Sequence, residues 1–210
     1  MYKEPIIIEF EGIDKSGKET QAELAIQYLH NRGVKVNADD KVSFPDYDTY
    51  TGAIIRKCLD TGVPHHPVRD ANEFQASMIL NRYEKQSIFT RYADNDSIVI
   101  CDRYMTSMLI YGRLSGVDDK WSLDAQHRMY KPTLTIVLDI GIEEYKRRCS
   151  EYTLDIYEKD TSFIERVKDS YISTELPWEK TVVCGEGSVE EVHMRIQKIL
   201  DETVKRTLHL

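Results

Sequence analysis

Basic charge is scarce in this 210-residue sequence: 28 Lys and Arg stand against 36 Asp and Glu, for a net charge of −8. A nucleic-acid footprint needs a basic patch or stripe, so this balance argues against nucleic acid and for a small-molecule partner. Cysteine is sparse as well. Cys58, Cys101, Cys149 and Cys184 lie far apart and offer no metal-ligand spacing, which fits reduced thiols in a cytoplasmic protein, or in host cytoplasm if the source is viral. No apolar run approaches the ~20 residues that cross a bilayer, so no membrane partner is expected. The opening MYKEPIIIEF has neither the length nor the cleavage region of a signal peptide. His65-His66 lies in a Pro-flanked stretch and reads as a surface loop rather than a metal site. Low-complexity linkers, repeats and charge blocks are missing, so residues 1–210 are expected to form a single domain.

What is present is ordinary globular composition, 41% hydrophobic and 30% charged, enough for one α/β domain with a full core. The most informative stretch is IIIEFEGIDKSGKET, residues 6–20. Ile6, Ile7 and Ile8 begin a buried strand, Gly12 and Gly17 bracket four residues, and Lys18 follows. A phosphate chain needs several backbone N–H groups converging on it, and glycines let the backbone turn tightly and come close. A helix starting near Lys18 adds its positive dipole end, and the lysine reaches the outer phosphates. Glu19 stands where Ser or Thr normally supplies a hydroxyl for Mg²⁺, with Thr20 one place late.

Strand and helix patterns then alternate to the end of the chain. Strand 5–10 leads to helix 18–31, closed by Gly33 at the C′ position, and to an extended segment over 34–44. Helix 51–59 precedes a loop with Gly62, Pro64 and Pro67, and Asp70 or Asn72 can cap a long helix to about Tyr92. Strand 97–101, helical segments over 104–130 broken near Gly116, strand 133–139 and a helix ending at Arg148 follow. A polar loop 149–162, helix 162–174, strand 181–184 and a helix from Ser188 complete the chain. The pattern predicts an α/β three-layer sandwich of the phosphate-loop NTPase type, with a five-stranded, mainly parallel sheet flanked by helices on both faces. In such a sheet a ligand sits at the carboxyl ends of the strands, where Gly12, Asp102 and Asp139 fall. Beside a phosphate loop, Asp102 can hold Mg²⁺ directly or through water, and Arg103 can fork onto a phosphate.

At Asp102-Arg103-Tyr104 the chain comes to resemble the thymidylate kinase family of nucleoside monophosphate kinases. The resemblance runs through FEGIDKSGKETQ (10–21), FPDYDTYTG (44–52), NRYE (81–84), DRYMTS (102–107), KPTLTIVLD (131–139), DIYEKD (155–160) and GSVEEVH (187–193), in the family's order. It implies transfer of ATP's γ-phosphoryl to dTMP with Mg²⁺, giving dTDP on the way to dTTP, in a homodimer with a mobile lid over about 149–162. It also implies roles for individual residues. Lys15, Ser16, Gly17, Lys18, Glu19 and Thr20 would cradle the ATP phosphates, with Asp102 and Glu19 as the metal candidates. Asp14 would orient the acceptor, Lys15 would contact the transferred group, and Arg103 would bind the acceptor phosphate. Arg82 would address the base, with Phe44, Tyr47, Met78, Ser107 and Tyr111 lining the acceptor pocket and Tyr157 near the sugar. Arg148 could stack on adenine or simply close its helix at the dipole's negative end.

The sequence departs from the family pattern at several places. Lys15 replaces an arginine found in one branch and loses the two-pronged geometry. Tyr47 stands where many relatives carry an arginine toward the acceptor phosphate. Met78 replaces an aromatic that stacks on thymine, with Phe74 one turn earlier as a substitute or plain core. Thr133 replaces an acid, read as a surface change. Rival readings are a broader deoxynucleoside monophosphate kinase, a deoxynucleoside kinase using Asp46 as base, and a catalytically inactive nucleotide-binding protein. A GTPase lacks its N-K-x-D here.

Overall fold

Ile6, Ile7 and Ile8 open β1 (Ile6–Glu11), which pairs in parallel on one side with β2 (Ile98–Asp102) and on the other with β3 (Leu134–Asp139). β4 (Glu179–Cys184) joins β3, giving the order β2-β1-β3-β4. The computed structural model describes residues 4–61, 67–93, 97–150 and 160–208. Its helices are α1 (Lys18–Asn31), α2 (Tyr50–Thr61), α3 (Pro67–Tyr83), α4 (Gln86–Ala93), α5 (Met105–Leu114), α6 (Asp119–Ala125), α7 (Ile142–Cys149), α8 (Thr161–Ser173) and α9 (Val189–Leu208). None of the described helices is long and apolar enough to cross a membrane.

The period-two alternation of β1 sends its residues to opposite layers. Ile8 and Phe10 pack with Ala22, Ala25 and Leu29 of α1 and Val192, Ile196 and Leu200 of α9. Ile7 packs with Phe89 of α4 and Met105 and Met108 of α5 on the other face. Helices thus cover both faces, as the buried apolar strands require. A third cluster joins Val137 of β3 to Tyr145 of α7 and Ile164, Val167 and Tyr171 of α8.

The expected fold class stands, with corrections in its parts. The sheet has four strands among the described residues, not five. The segment over 34–44 does run beside β2, but its ladder pairing is limited to the isolated bridges Val36–Ile98 and Ser43–Asp102. Between them Asn37 substitutes its side-chain amide for a ladder: Nδ2 donates to Ile100 O at 3.0 Å and Ile100 N donates to Oδ1 at 2.8 Å. The long helix to Tyr92 is divided by a turn at Glu84-Lys85 into α3 and α4. α3 starts at Pro67, a residue preorganised for a first helical turn, so Asp70 and Asn72 lie inside the helix and not before it. Thr133 is not a surface change: its N–H donates to Ile7 O at 2.8 Å and its Oγ1 accepts from Ile7 N at 3.2 Å, extending the sheet. His65-His66 lies outside the described residues.

Candidate active site

Gly12 ends β1 with φ 137°, and a Cβ there would sit 2.6 Å from Leu138 O, so only glycine lets the loop pass the end of β3. The loop continues through Lys15 at φ 60° and Gly17 at φ 91° into α1. A left-handed lysine is a strained choice, and strain of this kind gathers where backbone is shaped for a ligand. No side chain caps the first turn of α1, so its orphan N–H groups remain available to an anion. Ser16 is buried with no hydrogen-bond partner for its hydroxyl. Lys18 is buried too, and its Nζ donates to Ile13 O at 3.3 Å and to Asp14 Oδ1 at 3.2 Å. Thr20 and Glu19 are exposed at the mouth, and Glu19 gives its carboxylate to Lys41 Nζ at 2.6 Å.

Asp14 is the hinge of the site. The oxygen that accepts from Lys18 also accepts from Arg103 Nη2 at 2.5 Å. Burial alone would raise the Asp14 carboxyl, but Arg103 and Lys18 outweigh it and hold the group well below the usual carboxylate range. Burial likewise opposes the charge of Arg103, and Asp14 restores it, keeping the guanidinium firmly protonated. Arg103 has φ 62°, with its N–H on Phe10 O at 2.9 Å. Its Nη1 donates to Tyr171 Oη at 3.1 Å and lies 3.7 Å from Glu11 Oε2, and the guanidinium sits over the Tyr111 ring at 5.5 Å. Asp102, just before it, accepts from Ser43 Oγ at 3.1 Å through Oδ2, while Oδ1 is buried without a hydrogen-bond partner. Burial raises the Asp102 carboxyl despite Lys18 and Arg103 nearby.

The sequence reading missed Glu11, which anchors this station from beneath. It is fully buried, and its Oε1 accepts from Tyr104 N, Ser107 N and Ser107 Oγ, each at 2.9 Å. Its Oε2 accepts from Tyr171 Oη at 2.8 Å. Ser107 is thus buried against Glu11, behind the residues that line the cleft. The available signal was a pair of glutamates, Glu9 and Glu11, on the same face of an otherwise apolar strand. A buried carboxylate needs a dedicated set of partners.

The opposite wall is the segment over 43–48, entered through a cis Phe44-Pro45 bond. Asn81 fixes it, with Oδ1 accepting from Asp46 N at 2.8 Å and Nδ2 donating to Asp46 O at 2.9 Å. Gly52 packs so closely that a Cβ would fall 2.0 Å from Asp46 O. Tyr47 lines the cleft with Arg56 stacked 3.8 Å from its ring centroid. Arg82 is fully buried; Nε donates to Tyr104 O at 2.9 Å, Nη1 to Met78 O at 3.0 Å, and its carbon lies 5.0 Å from the Phe44 ring. Its Nη2 has no partner, and burial lowers its pKa to about 10. A buried guanidinium with a free N–H is a donor waiting for an acceptor. Met78 is half-buried, and Phe74 is buried core.

Arg148 is more than a solvated helix end. Its Nη1 donates to Lys15 O and its Nη2 to Gly185 O, both at 3.0 Å, and its Nε donates to Glu144 Oε1 at 2.6 Å. These bonds clamp the phosphate loop, and the residue lines the cleft. Tyr157 and most of the expected lid lie outside the described residues; Asp160 caps α8 through Ser162 N and Phe163 N, both at 3.1 Å. The phosphate loop, Asp102, Arg103, Arg148 and the Phe44–Asp48 wall together enclose a cleft of about 1030 Å³. Among the described residues no group of three or more His, Cys, Asp or Glu gathers as a metal cage.

Comparison with known proteins gives a consistent result. A family model described as thymidylate kinase matches residues 10–196. A probable thymidylate kinase of Thermococcus gammatolerans is 28% identical over 206 residues, covering 95% of this chain and 97% of that one. One from Methanocaldococcus jannaschii is 30% identical over 193 residues, covering 91% and 93%. The solved structure of Candida albicans thymidylate kinase superimposes with a TM-score of 0.78 at 22% identity, over 99% of this chain and 95% of that one.

Proposed function

The chain belongs to the thymidylate kinase family, and we propose that it moves the γ-phosphoryl group of ATP onto the 5′-phosphate of dTMP, releasing ADP and dTDP. The observation that carries this reading is the shared carboxylate oxygen of Asp14, which accepts from Lys18 on the donor side and Arg103 on the acceptor side. A transferred phosphoryl group must pass between a donor and an acceptor cation. Catalysis of this kind is positioning plus neutralisation of charge on the group in flight.

The chain's own residues supply both. Loop amides from Asp14 to Thr20 and Lys18 bind the ATP phosphates, and Arg148 holds the loop in shape through Lys15 O. Lys15, left-handed at the loop's tip, brings charge to the transferred group without an arginine's fork. Arg103 binds the acceptor phosphate, supported by Glu11 and Tyr171. Arg82 offers its unpartnered Nη2 to a base carbonyl, above Phe44 and beside Met78. By its family match, Tyr157 would disfavour a 2′-hydroxyl. The buried, unpartnered Oδ1 of Asp102 suits a hard cation that takes few protein ligands, as Mg²⁺ does when phosphates complete its shell. When bound there the ion would neutralise phosphate charge. Glu19, occupied by Lys41, is the weaker ligand.

The test is steady-state ADP release with ATP and Mg²⁺ over dTMP, dUMP, dGMP, dCMP and UMP. The highest kcat/KM is expected for dTMP. The dUMP value should lie about 10–200-fold lower, since one methyl in an apolar pocket is worth about 1–3 kcal/mol. If dTMP is not among the best two acceptors, a broader deoxynucleotide kinase replaces this reading.

A further inference from the structure

Seen as a phosphate site, the wall over 43–48 has the wrong charge. It presents Asp46 and Asp48 to the cleft, and no cation comes from the segment itself. An acceptor monophosphate carries a charge of about −1.5 to −2, so a bare acidic wall would repel it. The structure places one compensating group there. Lys85 lines the same part of the cleft, half-buried, with Nζ 2.5 Å from Asp46 Oδ2.

The geometry around Lys85 is held from several directions. Asp46 is a fixed post: Asn81 fixes its backbone at both N and O, and its Oδ1 accepts from Asp48 N at 3.0 Å. Lys85 itself stands in the turn that divides α3 from α4, its N–H donating to Arg82 O at 3.2 Å. The same carbonyl accepts from Gln86 Nε2 at 3.0 Å, which closes the turn. The interruption of the helix therefore sets Lys85 three residues after Arg82, the group read above as addressing the base. Of the other cations near this wall, Lys41 pairs with Glu19 at the mouth, and Arg56 is exposed, stacked on Tyr47, and does not line the cleft.

We propose that Lys85, which pairs with Asp46, is a binding residue for the acceptor's phosphate and sets the preference for a monophosphate over a nucleoside. This rests on the reading of the cleft as a monophosphate kinase site. Lys85 donates to Asp46 and turns one N–H to the acceptor phosphate when it enters, sharing that phosphate with Arg103. An ammonium has three donors, so it can keep Asp46 while it does so.

The experiment compares binding of dTMP and thymidine, by calorimetry, in the full chain and in Lys85→Gln, Lys85→Arg, Asp46→Asn and Arg56→Gln. Lys85→Gln should weaken dTMP about tenfold or more, the yield of one charge-assisted hydrogen bond, and leave thymidine unchanged. Lys85→Arg should keep most of the dTMP affinity. Asp46→Asn frees the ammonium and should leave dTMP binding equal or tighter, and Arg56→Gln should not change the dTMP-to-thymidine ratio. Equal losses for dTMP and thymidine in Lys85→Gln, or a matching dTMP loss in Asp46→Asn, would make the pair a brace for the wall and overturn the proposal. A changed ratio only in Arg56→Gln would overturn it too. If the wild type does not phosphorylate dTMP, the thymidylate reading fails separately, and the same ratio is measured on the monophosphate and nucleoside of whichever base is turned over best.

Discussion

Raising the pH should loosen this fold through one residue, Glu9. It lies on β1, fully buried, two residues from Glu11 on the same face. Its Oε1 accepts from the hydroxyls of Thr106 and Thr135, and its Oε2 accepts from Thr106 N at 3.3 Å. Two cations stand near this pair: Arg103 lies against Glu11, and buried Arg82 interacts with the charge of both carboxylates. Burial first, and the charge of Glu11 second, push the Glu9 carboxyl from 4.5 up to about 8. The sign follows from proton counting. Between those values the native state holds a proton that the unfolded chain releases, so this stabilisation is complete below about pH 4.5 and falls as pH rises through about 8. Each pH unit well inside the window removes about 1.4 kcal/mol, and less as pH nears the folded value, so moving from about pH 6 to about pH 8 should cost about 2 kcal/mol. For a domain of this size that is roughly 4–8 °C in Tm. The assay is Tm against pH at fixed ionic strength for wild type and Glu9→Gln, whose amide cannot titrate. Other groups, such as His193, cancel in the difference between the curves. Wild type should fall relative to Glu9→Gln over that range; parallel curves would refute the argument.

Gly52→Ala should destabilise by about 1–3 kcal/mol and raise KM for the acceptor more than for ATP, because its Cβ would strike the Asp46 carbonyl and Tyr47 Cα, both backbone; denaturant midpoints with kinetics on both substrates check this. Glu19→Ser should change stability by less than about 1 kcal/mol, since the Lys41 pair it breaks is exposed. It should retain turnover but shift the Mg²⁺ concentration giving half-maximal rate; identical Mg²⁺ curves would remove Glu19 from the metal's surroundings.

The sequence was most legible where the chemistry is local. Gly12, Gly17 and Lys18 belong to one short loop, and each has a reason visible in its own spacing: a backbone turn, a close approach, a charge. The alternation of apolar strands with helices was legible for the same reason, since burial on both faces of a parallel sheet leaves a continuous apolar run. The strand count was not. Asn37 reads as an ordinary polar residue in an extended segment, and only the position of Ile100, far along the chain, makes its amide a replacement for a ladder. The helix break at Glu84-Lys85 carries neither glycine nor proline, and what closes it is a carbonyl, Arg82 O, that takes both Lys85 N and Gln86 Nε2.

Ser107 and Arg148 show how much of a residue's setting lies outside its motif. Each is held by a partner that no local pattern reveals. Ser107 answers Glu11 on β1, and Arg148 answers Lys15 and Gly185 at the mouth of the sheet. Glu11 is the better guide to how this site works. A buried carboxylate binds the start of α5, through Tyr104 and Ser107, to Tyr171 on α8, and both Glu11 and Tyr171 meet Arg103. Arg103 in turn shares Asp14 with Lys18. Strand, helix and loop are therefore joined by one chain of charges, and the cation that meets the acceptor is positioned by the same core that positions the loop for the donor. Rigid support of this kind is what phosphoryl transfer asks of a protein, because the protein's contribution is the placement of charge.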